Sequence, residues 1–265
     1  PSFFIYCEER RVLLSSKGRK MREKEIEIDL EGTKAGIIYH QFQGIEVKTF
    51  LISFAEIRRS LSTREGFKKV RVVVNNYNPP PLWEFVHKNY DAYRNKIFSD
   101  LNLSSAKTAM LCTGADMDNF ALKREEYQEF KVFALVTAGT KSNAQRIGID
   151  KAGSLEREGK FETLGTINVI VLTNASLSEG ALARGIITLT EAKVIALEDL
   201  DIRSSYNPEI RATGTGTDNA IIVSGEGSRI NYLGGHSKMG ELMARAVTSA
   251  VKEAIFKQDG IKRYD

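Results

Sequence analysis

GTINVIVLTNASLSEGALARGIITLTEAKVIALEDL, residues 165–200, carries the fold in one run. TINVIVLT is a short apolar stretch rich in β-branched residues and of strand length. TNASLS is a polar loop. The remainder is long, free of proline and apolar at helical spacing, so it is a helix. A strand feeding directly into a long helix implies helices packed on a sheet. FKVFALVTAGTKSNAQ (130–145) and KTAMLCTGADM (107–117) are further strands that break into Gly-containing loops, and HSKMGELMARAVTSAVKEAIF (236–256) is a second long helix. Its apolar face is Met239, Leu242, Met243, Ala246, Val247, Ala250, Val251, Ala254 and Ile255.

The first part of the chain is β-rich. KEIEIDL (24–30) alternates at period two, GIIYHQF and IEVKTFLISF follow, and FKKVRVVVNNYNPPP (67–81) is a strand stopped by three prolines that cannot donate to a ladder. PLWEFVHKNYDAYRNKIFSDL reads as one helix, and TDNAIIVSGEGSRINYLGG (217–235) as a hairpin turning at GEG. The expected architecture is α/β (or α+β): a mixed sheet with helices packed on it, in a single domain spanning residues 1–265. Residues 1–56 form its β-rich N-terminal part. The directions of the strands are not readable at this level.

With 265 residues, 42% hydrophobic and 27% charged, the composition is that of a soluble globular protein. A net charge of +4 is mild, and the densest basic run, SSKGRKMREK (15–24), is short, so no nucleic-acid partner is expected. Cys7 and Cys112 have no metal-ligand spacing and imply no disulfide framework. The opening PSFFIYC is too short to span a membrane and lacks the basic region of a signal peptide, so a cytoplasmic location is expected. No metal motif, P-loop or G-x-S-x-G elbow occurs, and neither metal nor cofactor is expected. A homo-oligomer is compatible with the sequence.

Four Thr-, Asn- and Gly-rich loops flank apolar strands: CTGAD (112–116), TAGTKSNA (137–144), TNASLS (173–178) and ATGTGTD (212–218). Such loops are ordinary turns one at a time, but four of them suggest a common polar pocket. Candidate binding groups are Thr137, Gly139, Thr140, Asn143, Asn174, Thr213, Gly214, Thr215, Gly216 and Thr217. Asn168 joins them because Asn is disfavoured inside a strand. Of the three histidines, His40 and His87 look structural. His236 immediately precedes a helix whose N-cap is Ser237, followed by Lys238, with Gly240 in the first turn where a close ligand would explain a glycine. A neutral His there can act as a general base, with Asp218 as its orienting partner. Glu191, between apolar runs, is a third catalytic candidate, either paired or raised in pKa; Lys193 is expected to snorkel to solvent.

Four blocks, LVTAGTKSNAQRIG, the 165–193 stretch, ATGTGTDNAIIVS and GGHSKMGELMARAV, resemble the adenosylcobinamide amidohydrolase family in order and spacing, and LSTREGFKKVRVVVNNYNP and AMLCTGADMDNFAL resemble its upstream blocks. The resemblance covers residues 57–256. It implies hydrolysis of the amide that joins aminopropanol to the corrin ring, giving adenosylcobyric acid for cobalamin salvage, with a corrinoid as substrate. Ser237 and Met239 depart from the Thr and Leu of the family pattern. The residues fit such chemistry with His236 as base and then acid, Asp218 orienting it, and backbone N–H groups holding the oxyanion. Thr215 or Thr217 as nucleophile is an alternative. So are a corrinoid-binding protein without catalysis and an amidohydrolase of another substrate. The corrinoid-ligating pattern D-x-H-x-x-G is absent around His236.

Overall fold

The computed structural model describes residues 11–14, 20–152 and 167–262. Cys7, the PSFFIYC opening and part of the basic run lie outside them. The strands are β1 (Arg11–Leu14), β2 (Lys20–Ile26), β3 (Thr33–Phe42), β4 (Ile45–Ser62), β5 (Gly66–Tyr77), β6 (Thr108–Thr113), β7 (Ala121–Tyr127), β8 (Phe130–Ala138), β9 (Ile167–Thr173), β10 (Ser176–Leu177), β11 (Asn219–Val223) and β12 (Arg229–Ile230). The helices are α1 (Trp83–Lys88), α2 (Tyr90–Asp100), α3 (Glu179–Asp199) and α4 (Lys238–Asp259).

Ten of these strands form one mixed, curled sheet. The long β4 is its hub. It pairs antiparallel with β3 through its first half, with β11 near its end, and with β5 along its other edge. A register shift between Ser53 and Arg58 lets β4 bend, as a bulge does. β9 and β11 are parallel, joined by α3, and β5 and β6 are parallel, joined by α1 and α2. The remaining pairs are antiparallel apart from the short β10–β12 ladder, which is parallel.

Alternation of side chains across each strand then sorts the core into three layers. Val132, Ala134, Val136, Val169, Val171, Ala220 and Ile222 face α3 and α4. Phe133, Leu135, Ile170, Leu172, Ile221 and Val223 face inward, against Ile37, Phe50, Ile52, Val73, Ala109 and Leu111 from the other half of the sheet. Val47, Val74 and Met110 face α1 and α2, where Val86, Tyr93 and Ile97 are buried. The molecule is thus helix, sheet, sheet, helix, with the two sheet halves continuous through β4.

Two expected elements are different. The segment 82–101 is not one helix: it breaks at Asn89, whose side-chain Nδ2 donates to Phe85 O at 3.1 Å and competes with the helical ladder. Nor is 217–235 a hairpin. β12 pairs with β10 in parallel register, Ser176 opposite Arg229, and leaves β11 to β4 and β9. The apolar face read for α4 is buried at every position.

One buried network hangs on α2. Thr49 Oγ1 donates to Asn76 Oδ1 at 2.6 Å, so its single proton is spent and it accepts from His40 Nε2 at 2.8 Å. His40 is therefore the neutral Nε2–H tautomer, and its buried Nδ1 finds no partner among the described residues. Burial lowers the pKa of His40 from 6.5 to about 4, with Asp100 pulling it up and Lys96 pushing it down. A folded pKa below the unfolded one means that stability is fully present above about 6.5 and is lost as pH falls towards about 4. Between pH 7.5 and 4.5 this one group should remove about 2 to 3 kcal/mol. Urea midpoints of the wild type and of His40→Gln should converge over that interval.

Candidate functional site

Three of the four polar loops meet at one end of the curled sheet. β9 puts Asn168 opposite Thr137 of β8 and opposite Asn219 of β11. Because 168 alternates with Val169 and Val171, the side chain of Asn168 turns into the interior between the two sheet halves. There its Nδ2 donates to Asn75 Oδ1 at 2.9 Å and to Cys112 O at 2.8 Å, while Asn75 Nδ2 donates to Thr137 Oγ1 at 2.9 Å. All three side chains are buried, yet Asn168 Oδ1 has no partner among the described residues. An unmatched amide oxygen in such a place costs about 1–3 kcal/mol. This asparagine layer is the polar floor that stops the apolar core.

Above the floor the residues become accessible. Asn219 is half-buried; its Oδ1 accepts from Thr63 Oγ1 at 3.0 Å and its Nδ2 donates to Thr217 O at 3.0 Å. Gly216 is exposed, Thr217 and Asn143 are half-buried, and Gly114 lies against Trp83. On the same inward face, β4 and β5 bring Lys48 opposite Tyr77. Lys48 Nζ donates to Asp116 Oδ1 and to Asp118 Oδ2, both at 2.7 Å, and Tyr39 OH donates to Asp118. Burial works against the Lys48 ammonium, but its bonds and charge contacts with the two carboxylates win and raise its pKa above the ordinary lysine value. It is a fixed cation.

The ATGTGTD loop is clamped from behind. Gln145 N donates to Gly214 O at 2.8 Å, Thr213 N to Gln145 O at 2.9 Å, and Ile147 N to Thr213 Oγ1 at 3.0 Å. Asp218 accepts from the buried Lys193 of α3 and, at 2.5 Å, from Thr215 Oγ1. A Cβ at Gly214 would stand 2.3 Å from Asp218 Oδ2 and 2.8 Å from Lys193 Nζ. Gly214 is thus a glycine because of this ion pair rather than because a ligand approaches. Lys193 does not snorkel: it sits on the buried stripe of α3 with Leu189, Ala192, Ala196 and Leu197. Glu191 is on the opposite, exposed face of α3.

His236 and Asp218 are not brought together. α4 runs alongside α3 in the same direction, with Met243 beside Gly185, Thr248 Oγ1 donating to Ala192 O at 3.1 Å, and Lys252 paired with Asp199. Asp218 is therefore level with the middle of α4, while His236 precedes its first turn, roughly ten residues and ~15 Å away along the axis. His236 is exposed and hydrogen-bonds none of the described residues through its ring. Ser237 is the N-cap, accepting from Gly240 N at 3.0 Å, and Lys238 pairs with Glu241 and lies over the Tyr127 ring. Ser237→Ala should cost about 1 kcal/mol, read by urea denaturation.

The fourth loop, 173–178, is also at the far end. Asn174 Oδ1 accepts from Lys131 N at 2.8 Å and its Nδ2 donates to Glu129 O at 2.6 Å, which ties down the β7–β8 turn. Thr140 belongs to the near end but is taken by Asp259, which accepts from its N and its Oγ1. Gly139 is buried beside it. Asn75, Asn219, Lys48 and Asp116 were missed as site residues. Asn75 and Asn219 carry the same signal as Asn168, an amide within a β-branched strand, and that signal could have found them. Nothing local marks Lys48. Among the described residues no group of three or more His, Cys, Asp or Glu could hold a metal ion, and no helix is long and apolar enough to cross a membrane.

Fold and site together define a mixed α/β protein with a buried amide layer where three polar loops meet at one end of a curled sheet. The chain belongs to the adenosylcobinamide amidohydrolase family, whose model matches residues 35–263. The match opens within β3, earlier than the region of resemblance read from the motifs. An uncharacterized protein of Methanocaldococcus jannaschii is 47% identical over 257 residues, 91% of this chain and 100% of that protein. An adenosylcobinamide amidohydrolase of Methanosarcina mazei is 30% identical over 193 residues, 69% of this chain and 79% of that protein. The crystal structure of the PH0078 protein from Pyrococcus horikoshii aligns over 87% of this chain and 84% of that one, at 12% identity and a TM-score of 0.44.

Proposed function

We propose that this protein hydrolyses the amide linking aminopropanol to the corrin ring of adenosylcobinamide, releasing adenosylcobyric acid for cobalamin salvage. The observation that carries the reading is the asparagine layer, Asn75–Asn168–Thr137, under the accessible Asn219 where loops 112–116, 137–144 and 212–218 converge. The half-buried Asn219 amide above this layer suits a ligand that itself carries amides, since an Asn side chain offers both donors and an acceptor. Water adds to the carbonyl carbon, and backbone N–H groups of the converging loops are suited to hold the oxyanion that forms. The C–N bond then breaks, the nitrogen takes up a proton, and the acid and the amine leave. No cofactor enters the scheme; cobalt belongs to the substrate. The His236–Asp218 pair is not part of it, because the two side chains lie about half the length of α4 apart.

Incubation with adenosylcobinamide should release aminopropanol, detected by mass spectrometry. Asn219→Ala should lower kcat/KM about tenfold or more. Tight corrinoid binding with no aminopropanol released would favour a carrier instead, and release only from other amides would change the substrate.

A further inference from the structure

We propose that the buried Lys193–Asp218 pair is a positioning clamp that acts through Asn219. The inference rests on the reading of the cleft above, and it concerns how one of its residues is held.

Residues 218 and 219 are neighbours at the entry to β11, so their side chains leave on opposite faces. Asp218 goes outward to α3. Its two oxygens are both used, one by Lys193 and the other by Thr215 Oγ1, and Thr215 N adds contacts at 3.2 and 3.3 Å. Asn219 goes the other way, to Thr63, half-buried above the asparagine layer. A glycine at 214 lets the pair fill the space where a side chain would stand. The outer side chain is thereby fixed in position, and through one peptide unit so is the inner one. α3 enters the same coupling from β9, since the strand that supplies Asn168 leads into the helix that supplies Lys193. The clamp thus ties Asn219 in register with Asn168, its partner across the β9–β11 ladder.

Two readouts test this. The first needs no substrate. With asparagine side-chain amides labelled with nitrogen-15, the Asn219 signal is identified by its loss in Asn219→Ala. In Asp218→Asn that signal should shift or broaden while those of Asn75 and Asn168 stay in place. An unmoved Asn219 signal overturns the clamp. The second is a double-mutant cycle on aminopropanol release. Asp218→Asn should lower kcat/KM about tenfold alone, and by less than about twofold when Asn219 is already Ala. Full additivity would show that Asp218 does not act through Asn219. If the signal moves but the wild type releases no aminopropanol, the clamp stands and the catalytic reading fails. Should Asp218→Asn not accumulate as folded protein, Lys193→Arg, which keeps the charges and displaces them, takes its place in both measurements.

Discussion

Asp218→Ala is expected to destabilise the protein by about 3 to 5 kcal/mol, because it strands an ammonium in the core. The side chains of Lys193 and Asp218 are only 10% and 18% exposed, so water does little to screen the loss. Thr215 Oγ1 and Thr215 N lose their acceptor at the same time, which adds to the cost. The charge-free double variant Lys193→Met/Asp218→Ala should recover much of this, since a buried pair replaced on both sides by apolar groups is often close to neutral. Urea denaturation of the two single variants and the double one decides it. Additive losses would mean that the pair contributes as two unrelated contacts.

Gly240→Ala should be nearly as damaging, and against helix propensity. In an open helix the change would gain about 1 kcal/mol. Here the new Cβ would stand 2.1 Å from Gly234 O, 2.6 Å from Gly234 C and 2.8 Å from Leu233 O. Those are backbone atoms of the segment that leads into α4, and they cannot rotate away. Gly234 O also accepts from Ser237 N at 2.9 Å and from Ser237 Oγ at 2.9 Å, so pushing it aside breaks the cap as well. A loss of about 3 kcal/mol follows from overpacking, or a fall in Tm of roughly 10 °C for a domain of this size. A neutral or stabilised variant would instead restore the expectation that the space belongs to a ligand.

The two variants separate what the chain shows locally from what it does not. Periodicity is a local property, and it was enough for the apolar faces of α4 and for strands β6, β8 and β9. It also puts Lys193 on the buried stripe of α3, in step with Leu189 and Ala196, against the general tendency of lysine to reach solvent. The odd asparagine in TINVIVLT was a sound signal, because a strand interior seldom holds an amide without a bond to make. The same reasoning, applied to VVVNN and to TDNAIIV, leads to Asn75 and Asn219.

By itself, then, the sequence determined the element types, the buried faces, the family blocks and the chemical character of the loops, all set within a few residues of one another. Only the tertiary structure decided which loops share an end of the sheet. Asp218 and His236 are eighteen positions apart and directly precede β11 and the α4 cap, yet the parallel run of α3 and α4 leaves them about half the length of α4 apart. Asn75, Thr137, Asn168 and Asn219 come from four strands, and they meet because β4 bends and joins the two halves of the sheet. Strand order and direction follow from long-range pairing, which depends on loop closure and on the packing of the whole core, and no local pattern of residues contains it.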